Sequence, residues 1–111
     1  MERILTVEMQ GLFVVRMHTE GLSEGTVEKY VRDVRVFAAW LGGREVTKER
    51  AAAWRDALVH QGYAPVTVNS MLAALNAFFR FMNWHDCRVR FLKIQRQVFR
   101  DRIGTDRVRC Q

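Results

Sequence analysis

Val27, Tyr30, Val34, Phe37 and Leu41 stand 3, 4, 3 and 4 residues apart. That spacing puts all five on one side of an α-helix and predicts an amphipathic helix starting at Ser23. A stripe of this kind must be covered by another element, and three further stretches offer one. Leu5, Met9, Leu12, Phe13 and Met17 mark a helix over about 6–20. Ala51, Trp54 and Leu58 mark another from Thr47, and Val68, Met71, Leu72, Leu75, Phe78, Phe79 and Met82 a broad stripe from Pro65. Ser23 and Thr47 are N-cap residues, Leu22 lies just outside the first of them, and Pro65 suits a first helical position. Gly21, Gly42-Gly43 and Gly62 separate the pieces. The expectation is an all-α fold, a compact orthogonal bundle of four helices with short connections over 1–87. A chain of 111 residues is one domain, long enough for a core without staples.

Charge divides the chain differently. Residues 1–87 hold ten Lys and Arg against ten Asp and Glu, whereas 88–111 hold eight against two. The whole net charge of +6 therefore lies in a basic C-terminal extension, read as a linker or tail. A basic tail on a neutral helical body points to a polyanion or to a solvated end. Arg88-Val89-Arg90-Phe91 alternates charged and apolar residues, as a short strand or extended segment does.

The residues exclude several classes. No apolar run reaches the roughly 20 residues of a membrane helix, and no secretory signal opens the chain, so the expected location is cytoplasmic. Cys87 and Cys110 form no disulfide framework and are expected as reduced thiols, Cys87 partly buried. His85-Asp86-Cys87 offers ligand types, but no second pair stands at zinc spacing, so no metal is expected. Tyr30 belongs to an apolar stripe and Tyr63 to the turn before Pro65. No glycine-rich phosphate loop or paired carboxylates appear, so no cofactor, small-molecule substrate or autonomous active site is expected.

Two helix faces suit double-stranded DNA. Lys29 and Arg32, flanked by Arg35, lie opposite the stripe of the second helix and can meet phosphates. On the fourth helix Asn69, Ala73, Asn76, Arg80 and Asn83 step by 4, 3, 4 and 3. Ala73 and Ala77 permit close approach to a groove, Asn69 and Asn76 have the amides that pair with adenine, and Arg80 can read guanine or hold a phosphate.

These residues also carry a resemblance. Leu22-Ser23-Glu24-Gly25-Thr26, leading into Tyr30-Val31-Arg32-Asp33, resembles the second helix of the core-binding domain of tyrosine recombinases, the phage-integrase-like site-specific enzymes. The stretch 65–81 is similar to the fourth helix of that domain, and 84–101, with Leu92-Lys93-Ile94-Gln95-Arg96, to integrases of bacterial mobile elements. The resemblance implies a SAM-like bundle that clamps one side of a duplex, with the second and fourth helices on DNA. It also implies a location with the bacterial nucleoid. Its DNA-binding residues would be Lys29, Arg32, Arg35, Asn69, Ala73, Asn76 and Arg80, with Arg88, Arg90, Lys93 and Arg96 tracking the backbone. In such enzymes the catalytic tyrosine and its arginine, lysine and histidine partners belong to a larger following domain. Neither Tyr30 nor Tyr63 matches that tyrosine, so no strand cleavage is expected of this chain alone. The alternative is a helical interaction module that pairs with itself or with a full-length integrase through Phe81, Val98 and Phe99. A regulatory DNA binder with one preferred operator is a third reading.

Overall fold

A computed structural model describes residues 3–93. Four helices follow one another: α1 (Val7–Thr19), α2 (Glu24–Leu41), α3 (Lys48–His60) and α4 (Pro65–Phe81). A 3-10 turn at His85–Cys87 comes after them, and no strand occurs among the described residues. The all-α expectation holds, with each helix where its stripe placed it.

The starts are set by side chains that satisfy otherwise orphaned backbone donors. Thr6 accepts from the Met9 N–H at 3.1 Å, Ser23 from Thr26 at 3.2 Å and Thr47 from Arg50 at 3.0 Å. α4 lacks a capping side chain and begins with Pro65, whose missing N–H is one of the orphans. α2 ends at Gly42, whose φ of 63° lies in the left-handed region that glycine takes most readily. α4 ends differently: Asn83 takes φ 62°, a conformation this residue type tolerates. The Trp84 N–H then reaches back to the Phe79 carbonyl at 2.8 Å, and the chain reverses over α4.

The stripes meet in one core. α4 is its centre, with Val68, Leu72, Leu75, Phe78 and Phe79 all fully buried. Phe37 of α2 packs edge-on against Trp54 of α3 at 5.1 Å and against Phe79 at 6.3 Å. Phe13 of α1 meets Phe78 at 5.3 Å, and Trp84 closes the end against Phe78 at 6.1 Å. Aromatic pairs in these geometries add to the burial of their area. Leu12 departs from the expected stripe: it is 61% exposed, because Phe13 and Met17 alone turn α1 inward at that level. Tyr63, in the turn before Pro65, is also exposed.

The N-terminal segment is tied to the far end of the chain. The Arg3 carbonyl accepts from the Val46 N–H at 2.7 Å. Arg3 Nη1 donates to both Asp86 carboxylate oxygens at 2.8 Å and to Cys87 Sγ at 3.2 Å. The Arg3 guanidinium holds the Asp86 carboxyl below its ordinary range. Cys87 is fully buried, more than expected, and burial pushes its thiol up, away from the reactive thiolate.

Candidate nucleic-acid interface

The residues expected on DNA fall into three settings. Arg32 and Arg35 of α2 and Arg80 of α4 are exposed, as are Arg88, Arg90 and Lys93. Lys29, Asn69 and Asn76 are engaged inside the protein. Ala73 is half-buried on the outer side of α4. Arg96, together with Val98 and Phe99 of the alternative reading, lies outside the described residues.

Lys29, expected at a phosphate, is engaged in an interhelical tie. Its Nζ pairs with Asp33 one turn on and donates to the Ser70 carbonyl of α4 at 3.0 Å. Asp33 is a buried charged residue, 4% exposed, and a buried carboxylate requires a partner. The pairing explains why Lys29 stands where it does. Sequence spacing placed it on the outer face, but its stem leaves α2 toward α4, where Nζ reaches the Ser70 carbonyl.

Asn69 and Asn76, expected at base edges, are engaged within the protein as well. Residues 88–93 form a strap that runs back along α4, and the two amides hold its backbone. The Val89 N–H donates to Asn76 Oδ1 at 2.8 Å, while Asn76 Nδ2 donates to the Val89 carbonyl at 2.9 Å. One step along, the Leu92 N–H donates to Asn69 Oδ1 at 2.7 Å and Asn69 Nδ2 donates to the Leu92 carbonyl at 3.0 Å. The lengths match: seven helical residues span about 10.5 Å, and three residues of polyproline-like backbone about 9.3 Å. Arg88 has the φ of −61° and ψ of 143° of such backbone. The inward residues, Val89 and Leu92, are three apart, the period of that helix rather than the two of a strand. Edges needed to read adenine are thus committed to the protein's own main chain. Val89 belongs to the core, so the packed body continues past Cys87.

A third tie comes from α3, where Arg55 Nη1 donates to the Arg90 carbonyl at 3.1 Å. Ser70, Ala73 and Ala77 of α4 form a row of small, half-buried residues that leads to the exposed Arg80. Arg80 shares a recess of about 370 Å³ with Arg16, Glu20, Tyr30 and Phe81. Phe81, expected as part of an exposed seam, is half-buried against Phe13 at 5.5 Å with the Arg16 guanidinium over its ring. Arg32 and Arg35 border a shallow apolar groove between α1 and α2, lined by Val14, Val27 and Val31 and by Glu24 and Glu28.

The architecture is that of a four-helix all-α module with cationic side chains at its surface and, among the described residues, no group of three or more metal-ligating side chains. The chain belongs to the family of the phage integrase N-terminal SAM-like domain, whose model matches residues 15–86. That membership relates it to DNA recombination of the tyrosine-recombinase type. No curated protein and no solved structure gives a match. No helix among the described residues is long and apolar enough to cross a membrane.

Proposed function

We propose that this chain is the DNA-binding, core-binding module of a tyrosine recombinase and cleaves no strand by itself. The family match over 15–86 carries this reading. The exposed cations support it: Arg32 and Arg35 on α2, Arg80 near the end of α4, and Arg88, Arg90 and Lys93 on the strap. Phosphate contacts of this kind supply sequence-independent affinity, and the small residues of α4 let a duplex come close. Ala73 keeps its proposed place in the interface. Arg96 keeps its place on the grounds of sequence alone. The setting is cytoplasmic, with the bacterial nucleoid.

A labelled 20–30 base-pair duplex titrated by fluorescence anisotropy tests the proposal. A module that makes half a clamp is expected to bind with a micromolar or weaker Kd at physiological salt, and to weaken steeply as salt rises. Arg80→Ala is expected to weaken binding without changing the melting temperature. Absence of binding at low salt overturns the proposal.

The apolar groove of about 640 Å³ between α1 and α2 favours one second reading, pairing with another copy or with a full-length integrase. A clean monomer by sedimentation at high concentration, and no complex with an integrase, overturns it.

A further inference from the structure

We propose that the edge formed by α3 and the strap is a second phosphate-binding surface, separate from α2, on which Lys48, Arg55, Arg88 and Arg90 take the sugar-phosphate backbone of duplex DNA. This rests on the DNA-binding reading above and adds Lys48 and Arg55, which the sequence did not single out.

The four cations line one recess of about 260 Å³, together with Ala52 and Val89. No carboxylate lines it. Among the described residues Lys48, Arg88 and Arg90 form no ion pair, and Arg55 pairs only with its neighbour Asp56 at 3.3 Å. The acids nearby lie outside it: Asp56 is beside Arg55, Asp86 is held by Arg3, and Glu45 and Glu49 line an adjoining recess that Lys48 also borders. Four cations around one recess with a single ion pair among them repel one another, and an anion entering the recess relieves that repulsion. Arginine forks match phosphate oxygens two at a time.

The positions are also rigid. Lys48 opens α3 behind the Thr47 cap, whose oxygen accepts from Arg50 N–H. Arg88 and Arg90 flank Val89, whose main chain is held on both sides by Asn76, and the Arg90 carbonyl is held by Arg55. Surface arginines normally lose much conformational entropy on binding, and an anchored backbone reduces that cost. Asn76 and Asn69 are therefore positioning residues of this surface. A long polyanion fits better than a compact one, because the basic residues continue in sequence beyond Lys93 through Arg96, Arg100 and Arg102. A duplex presents such a line of charge.

The test compares two double variants of the whole chain, Lys48→Gln/Arg88→Gln on this edge and Arg32→Gln/Arg35→Gln on α2. Each is titrated with the duplex across salt concentrations. Lys48 and Arg88 are exposed, so circular dichroism and melting are expected to stay as in the parent. The edge variant is expected to lower the salt slope by about 1.8, near 0.9 for each lost phosphate contact. Asn76→Ala is expected to lower it too, and to add nothing further when combined with Arg88→Gln/Arg90→Gln, since both act through the same contacts. An unchanged slope in the edge variant, with a lowered one in the α2 variant, overturns this inference and leaves the DNA reading standing. A parent chain that binds no duplex overturns both. Equal binding of poly-glutamate, lost in the edge variant, overturns the assignment of DNA in favour of an acidic polypeptide.

Discussion

The outer face of α2 and the edge where the strap lies on α3 and α4 both carry basic residues, but they hold them in different ways. On α2 each cation has an acid nearby: Lys29 pairs with Asp33, and Arg32 and Arg35 border a groove that Glu24 and Glu28 also line. The strap edge gathers Lys48, Arg55, Arg88 and Arg90 around a recess that no carboxylate lines, the acids Asp56, Glu45 and Glu49 lying to its sides. Side chains on α2 are placed by a regular helix; those on the strap are placed by four hydrogen bonds from two asparagines. Net charge counted along the chain separates body from tail. Charge counted on the folded surface separates one edge from another, and a ligand meets the second distribution.

The contrast can be broken at several depths. The largest expected effect lies beneath both regions: Leu75→Ala, at a fully buried site, should cost about 2–5 kcal/mol in denaturant unfolding. Equal stability of that variant would mean that α4 is rotated from the orientation described. Next comes Lys29→Met, which strands Asp33 inside. We expect a loss of up to about 3 kcal/mol, the low end for breaking a buried pair, because the Lys29 side chain is 31% exposed. Its salt slope for DNA should stay that of the parent; a fall would return Lys29 to the phosphate contacts.

Asn76→Ala should cost about 1–3 kcal/mol, since it leaves the Val89 N–H and carbonyl without partners. Amide hydrogen exchange should quicken at Val89 and Leu92 while α2 keeps its protection. Uniform change along the chain would show that the strap is not a separable unit. The smallest effect belongs to the Arg3–Asp86 tie. Its carboxyl titrates below its ordinary value of 3.8, so its contribution is present above that value and lost as pH falls through the lower folded one. Melting followed from pH 7 down to pH 3 should show the parent losing a small increment that Asp86→Asn lacks throughout. The pair is exposed, so the increment should shrink with added salt.

Much of this molecule was legible in its sequence because helix formation is read locally. Stripes at 3 and 4 residues, capping Ser23 and Thr47, Pro65 at a first position and glycines between helices are signals within a few residues of what they control. The row Asn69, Ala73, Asn76, Arg80 was visible too. Its purpose was not visible. Amides at heptad spacing fit an adenine-reading face and a backbone clamp equally well until a partner for them is known. The partner lies 13 residues beyond Asn76 and 23 beyond Asn69, and no local rule links them.

Residue pattern by itself determined the helix count, the borders, the core stripes and the family, since each depends on neighbours along the chain. Only the tertiary structure decided which polar groups are available to a ligand. It turned Lys29 toward Ser70, closed Asn69 and Asn76 on the strap, and drew Lys48 and Arg55 beside Arg88 and Arg90. The physical reason is that burial creates an obligation to pair, and the group that satisfies it is chosen by distance in space, not in sequence.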